Sequence, residues 1–468
     1  MKLSILIDIP TEFQKEAIYT FENIFFPYSE KISFVDDINN FINKQHKIIY
    51  CQFSSKLLRN CAIIENALII IFQDSTLRYF SSFNEYDVNR VEWKNSVPCL
   101  FPIENQITLG NNSCVLSFDV IAASFFFLSC WQEYTTKERD NRGRVPLKST
   151  LQYKLNINRK PIVNLYMDII SNHTQQLWKN NLEKKTMPRG ESNTYVALTH
   201  DVDFIQYSFF KFIKGLFSIR KYLTFSIYNL FFLFRNIIGQ KYIFHLIDKI
   251  ESEKNINSTH YFLSEYASKY KVCINKYIKI LLEKKNEIGH HISEKSIFNT
   301  NLIEDKKLIQ SLNTNIVGSR VHMLEFEVQI LYKQLEEQNY LYDSSLIFPE
   351  DISYRTGFTY PHYIFNITNR CPFNVVSIPL NIMDITANKY LCMNDNEFER
   401  ELYLFFETAV EMGGVITLLF HNTYFFYNTE SRKKMYKNIL SYFINNNIPV
   451  GTCKELYLWR INKDISPS

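Results

Sequence analysis

Thr199-His200-Asp201-Val202-Asp203 follows directly on the apolar run Tyr195-Val196-Ala197-Leu198, and this junction decides the fold. A short apolar run that breaks off into polar residues reads as a buried strand whose C-terminal end opens on solvent. The same rhythm recurs downstream, with candidate strand ends at 196–203, 259–263, 287–293, 316–322, 342–345, 375–379 and 415–422. Helix-length segments such as 324–337 and 397–412 lie between them. Strands alternating with helices predict a parallel α/β barrel, in which the loops after the strands converge on one mouth.

The strand ends carry the residues fit for hydrolytic chemistry. Asp201 and Asp203 lie two apart and so share a face of an extended strand. Such a pair can divide its work, one carboxylate holding a divalent metal and the other taking a proton from the attacking water. In Glu287-Ile288-Gly289-His290-His291-Ile292-Ser293, neighbouring histidines point to opposite faces, so one of them reaches the mouth as a metal ligand. Gly318-Ser319-Arg320-Val321-His322 puts Arg320 and His322 on one face, where the arginine can keep a carboxylate base ionised. Leu418-Leu419-Phe420-His421-Asn422 ends a buried strand in a histidine placed to protonate a leaving group. Taken singly, each has a plain alternative: a solvated loop for the aspartates, core or surface histidines, an ordinary salt bridge for Arg320. Four such clusters at successive strand ends are hard to reconcile with coincidence.

Residues 1–180 read as a smaller α/β domain with apolar strands at Ile48-Ile49-Tyr50 and Leu68-Ile69-Ile70-Ile71-Phe72 and no catalytic constellation. The helical run 122–134 leads into the charged stretch 137–144, expected as an exposed loop, and the polar segment 180–193 reads as a linker to a second domain at 194–468. A formal net charge of +4 on 468 residues gives no electrostatic footprint for nucleic acid. Nine scattered cysteines without a C-x-x-C pair suggest neither a zinc knuckle nor a disulfide framework, and fit a reducing compartment. The opening Met1 to Pro10, broken by Asp8, reads as a first strand rather than a secretory signal, so the expected location is the cytoplasm or the inner face of a membrane.

One segment departs from the barrel rhythm. Residues 204–247 carry six basic and no acidic residues among 14 aromatics, a composition suited to a membrane surface or a hydrophobic partner. A helical pair packed on the barrel is the alternative.

The quoted motifs, together with Tyr342-Asp343-Ser344-Ser345-Leu346 and Ser377-Ile378-Pro379-Leu380, resemble in order and spacing the NodB-type polysaccharide deacetylases of carbohydrate esterase family four. Phe125-Phe126-Phe127-Leu128-Ser129, Gln132-Glu133-Tyr134 and Gly143-Arg144-Val145-Pro146 are similar to a bacterial branch of that family with an extra N-terminal domain. The resemblance implies a distorted (β/α)7 barrel, a divalent metal such as zinc, and hydrolysis of an N- or O-acetyl group on a carbohydrate substrate. By position it implies Asp201 as general base, Asp203 and His291 as metal ligands, Arg320 as partner of the base and His421 as general acid; Arg355 and Asn422 are further candidates for binding substrate.

One position departs from the family pattern. Four residues after His291, where the family supplies a second histidine ligand, this chain has Lys295. His322 is the expected substitute, with Glu294 and His290 as weaker candidates. Two protein ligands alone would hold zinc poorly, so the rival expectation is a barrel that has lost its metal and serves as a non-catalytic carbohydrate-binding or glycan-assembly protein. An amide hydrolase acting on a non-sugar substrate is a third.

Overall fold

A computed structural model describes residues 2–55, 65–103, 112–203, 246–264, 271–293, 296–297, 302–311, 315–426 and 429–461. The N-terminal unit is built on strands β1 (Lys2–Asp8), β2 (Lys31–Phe34), β3 (Lys47–Gln52) and β4 (Ala67–Phe72). A small antiparallel hairpin, β5 (Glu92–Lys94) with β6 (Val97–Cys99), and the short β7 (Cys114–Val115) follow. The main sheet is parallel in the order β2-β1-β3-β4-β7. β4 is buried along its whole length, as expected of a parallel strand covered on both faces. The apolar run expected as one helix divides into Val120–Leu128 and Trp131–Thr135, because Cys130 takes a left-handed backbone (φ 55°) that no helix can pass through.

The C-terminal unit contains β8 (Thr194–Val202), β9 (Thr259–Leu263), β10 (Glu287–Ile292), β11 (Gly318–Val321), β12 (Tyr342–Asp343), β13 (His362–Asn366), β14 (Cys371–Ser377), β15 (Ile382–Met383), β16 (Gly414–Leu419) and β17 (Val450–Gly451). Eight of these are parallel in the order β14-β12-β11-β10-β9-β8-β16-β15; β13 adds antiparallel to β14, and β17 pairs with β8 at Val196 and Ala197. Arg320 on β11 touches Asp201 on β8 although two strands separate them, which requires the sheet to curl. Among the described residues no pairing joins β14 to β15, so the curl stays open there. The seven expected strand ends coincide with β8, β9, β10, β11, β12, β14 and β16, and the structure adds β13 and the two-residue β15 and β17. Gly289 is needed where it stands: a Cβ there would lie 2.4 Å from the Tyr261 ring, which lies beneath the Arg320 guanidinium.

The two units share a core, in which one apolar cluster runs from Leu3 and Phe13 through Phe125 and Tyr166 to Tyr195 and Val376. Buried pairs cross the same boundary, among them Tyr19 Oη donating to the Tyr363 carbonyl (2.6 Å). The segment 180–193 is not a free tether, since Leu182 and Met187 are buried in that cluster. The stretch 137–144 is the exposed loop expected at Lys137, Glu138, Arg139, Asn141 and Gly143, but it ends in a buried Arg144. No helix among the described residues is long and apolar enough to cross a membrane. The basic aromatic stretch 204–247 lies outside the described residues except for its last two.

Candidate active site

Alternation along β8 sends Thr199 and Asp201 into the curl and His200 outward. Arg320 arrives from β11 on the same inner face and is fully buried. Its Nη1 donates to Thr199 Oγ1 (2.8 Å) and Asp201 Oδ1 (3.1 Å), its Nε to the Ser344 carbonyl (2.7 Å) and its Nη2 to Ser344 Oγ (3.0 Å). Burial works against this cation, but the Asp201 charge and hydrogen bond, with Tyr261 and Cys453, together offset it and raise its pKa. Asp201 is thereby held by one oxygen, while Oδ2 lies 3.6 Å from His291 Nε2 and 4.0 Å from His421 Nε2.

Asp203, His291 and His322 form a group whose ligand atoms all lie within 4.8 Å of one another. Asp203 Oδ1 is 3.2 Å from His291 Nε2 and 4.0 Å from His322 Nε2. The His291 Nδ1 partner is the Arg320 carbonyl at 3.0 Å, which can only accept. Nδ1 therefore carries the proton and, in the neutral ring, Nε2 presents a bare lone pair, the arrangement in which a histidine ligates metal. Asp203 Oδ1 and His291 Nε2 are buried polar atoms that no hydrogen bond satisfies. Burial pushes the Asp203 carboxyl upward, yet His291, His421 and His322 together hold it well below the usual carboxylate range. His291 is lifted against the pull of burial, chiefly by Asp201. Two imidazoles and one carboxylate around an unsatisfied face are a donor set that suits a zinc-like ion with a position left open.

A second group, His200, Glu251 and His260, has comparable spacing on the outer side of β8. It does not fit a metal in the same way, because Glu251, both His200 nitrogens and His260 Nε2 are already engaged, leaving only His260 Nδ1 without a partner. Glu251 faces His200 Nε2 at 2.7 Å and accepts from Tyr436 Oη at 2.5 Å and from Ser258 Oγ at 2.7 Å. Ser258 Oγ also meets His260 Nε2 at 3.0 Å. This network fastens β8 and β9 to the helix over 246–253.

His421, just past β16, is seated by a residue that sequence reasoning missed. Asp384, fully buried after β15, accepts from His421 Nδ1 at 2.6 Å and from the His421 backbone N–H at 2.8 Å. Burial would lower the imidazole pKa, but Asp384, with Asp203 and Asp201 behind it, raises it to about 10. His421 is therefore an imidazolium at neutral pH, with Nε2 4.0 Å from Asp201 Oδ2 and 3.9 Å from Asp203 Oδ2. The available signal was Ile382-Met383-Asp384, a miniature of the other strand ends.

The remaining expectations divide. The Asn422 backbone N–H donates to the Asp201 carbonyl (3.1 Å), which places Asn422 at the mouth. Arg355 does not line the cavity over the carboxylates: its guanidinium is buried against Glu133 (Nε 2.8 Å, Nη2 2.5 Å) and the Ile347 carbonyl (2.9 Å), and the Glu133 contacts join the two units. His290 faces away from the mouth, 2.6 Å from Tyr340 Oη. Glu294 and Lys295 lie outside the described residues. The cavity over the carboxylates is walled by Met323, Lys389 and Tyr390 and, from the N-terminal unit, by Arg142 and Arg144.

A family model described as a family of unknown function, DUF7033, matches residues 5–179. No curated protein matches the chain. Among solved structures, a provisionally assigned polysaccharide deacetylase from Mycobacterium smegmatis aligns over 61% of this chain and 97% of its own, at 14% identity and a TM-score of 0.42. One similarly assigned from Pseudomonas aeruginosa PAO1 aligns over 58% and 93%, at 12% identity and a TM-score of 0.42. The PuuE allantoinase aligns over 58% and 93%, at 11% identity and a TM-score of 0.41.

Proposed function

We propose that this chain is a metal-dependent hydrolase that removes an acetyl group from a sugar of a cell-surface polysaccharide or its precursor. The observation that carries the reading is the unsatisfied face shared by Asp203 Oδ1 and His291 Nε2, with His322 beside it. It is flanked by a carboxylate fixed by Arg320 and an imidazolium fixed by Asp384. The choice of an acetylated sugar rests on the motif resemblance of the strand ends.

Asp203, His291 and His322 would hold a divalent ion such as zinc, which when bound polarises the acetyl carbonyl and lowers the pKa of water. Asp201, with Oδ1 engaged by Arg320, offers Oδ2 to receive the proton of the attacking water. Arg320 fixes one oxygen of that carboxylate and stops it from turning. His421 delivers its Nε2 proton to the departing amine or alkoxide, and Asp384 fixes the ring so that Nε2 faces the mouth.

The non-catalytic reading rests on Lys295, and the nearness of His322 to Asp203 speaks against it. Scattered cysteines support a reducing, cytoplasmic setting, and the composition of 204–247 supports contact with an anionic lipid surface. The test is acetate release from N-acetylated sugars by the full chain loaded with zinc, with metal counted per chain. Activity unchanged in Asp203→Ala and His421→Ala would sink the assignment, and sugar binding in a metal-free chain that survives Asp203→Ala would establish the rival.

A further inference from the structure

Directly after His322, two consecutive non-glycine residues take left-handed backbone, Met323 at φ 55° and Leu324 at φ 58°. For an L side chain this conformation crowds Cβ against the carbonyl, and it persists only where the surroundings over-determine it. The surroundings are supplied by the N-terminal unit. Arg144 Nη1 donates to the Met323 carbonyl (3.1 Å), at the strained turn itself, and the Arg142 guanidinium pairs with Glu325 immediately beyond it.

Both arginines are themselves fixed. Asp140 accepts from the backbone N–H of Arg142 (2.8 Å) and of Arg144 (3.0 Å) and from Arg144 Nε (2.8 Å), so 140–144 is a closed turn presenting two guanidinium groups to the barrel. Burial disfavours the Arg144 cation, but Asp140 and Tyr390 more than compensate. The Met323 carbonyl is one residue from His322, so no slack separates the Arg144 contact from the imidazole.

We propose that Arg142 and Arg144 are positioning residues for His322: the N-terminal unit holds the strained turn in place and so sets the third nitrogen beside Asp203 and His291. Metal retention in the C-terminal unit then depends on a loop more than 170 residues upstream of the ligand. This inference rests on the reading of Asp203, His291 and His322 as the metal site.

The test measures zinc affinity of the full chain by competition with a chromophoric chelator, with folding checked by circular dichroism. Arg142→Gln/Arg144→Gln is expected to bind zinc about 10- to 100-fold more weakly, the range for partners that orient a ligand. Adding Met323→Gly should restore most of that loss, because glycine adopts φ 55° without the guanidinium groups. If the double variant does not fold, Arg142→Gln alone, at a part-exposed position, should still weaken zinc measurably. Unchanged affinity in the arginine variants, with affinity lost in His322→Ala, overturns the proposal while leaving the metal site standing. Weakening that Met323→Gly fails to restore also overturns it, since loss of unit packing would then suffice. Unchanged affinity in His322→Ala removes the reading on which it rests.

Discussion

His421 Nδ1 and Asp384 Oδ1 lie 2.6 Å apart in a pair that joins the end of β16 to the end of β15 and leaves only Nε2 facing the mouth. The folded pKa of about 10 lies above the ordinary 6.5. The stability drawn from this pair is therefore complete below about 6.5 and is lost as pH rises through about 10. An acid must be protonated to act, so activity falls as pH rises through the same value. In Asp384→Asn that alkaline limb should move down by at least about one unit and the maximal rate should drop by about 10²-fold or more. The pH profile of kcat/KM reads both effects, and a limb that stays in place removes Asp384 from its role.

Arg320→Met should cost about 3–5 kcal/mol, because it leaves the buried Asp201 carboxylate without its cation. Urea unfolding measures the loss. A variant as stable as the parent would mean that Asp201 is compensated from elsewhere.

Arg355→Met should show the opposite split from a substrate-binding residue. It breaks a buried pair with Glu133 and should lower stability by about 3–5 kcal/mol, while KM of the surviving folded protein stays within about twofold. A rise in KM beyond about tenfold without loss of stability would return Arg355 to the site.

Glu251→Gln separates the two histidine groups. Burial pushes the Glu251 carboxyl up, but His200 at 2.7 Å outweighs this and holds it low. Its contribution is present above the ordinary carboxylate pKa of 4.5 and is lost as pH falls through the lowered folded value. The variant should lose about 1–3 kcal/mol near neutral pH and less in acid, with zinc per chain unchanged. Loss of a metal equivalent instead would reassign the outer cluster as a site.

Much of the mouth could be read from the sequence because strand parity is a local property. Asp201 and Asp203 two apart, and His290 beside His291, sort themselves onto faces without knowledge of the rest of the chain. His322 could be nominated because it shares parity with Arg320. Asp384 escaped because β15 is two residues long and has no periodicity to detect. The contact of Arg355 with Glu133 was not legible because the two lie 222 residues apart, and pairing at that range has no local signature. Arg144 escaped for the same reason: its contact with Met323 spans 179 residues, and the mostly charged stretch before it suggests a solvated loop.

β8 is committed on both sides at once: Asp201 meets Arg320 within the curl, and His200 meets Glu251 behind it. A one-residue slip in register would exchange the two, setting an imidazole against a guanidinium and one carboxylate against another. Loops away from the mouth can therefore gain or lose residues without touching the chemistry, whereas a single insertion within 194–202 would undo both contacts together.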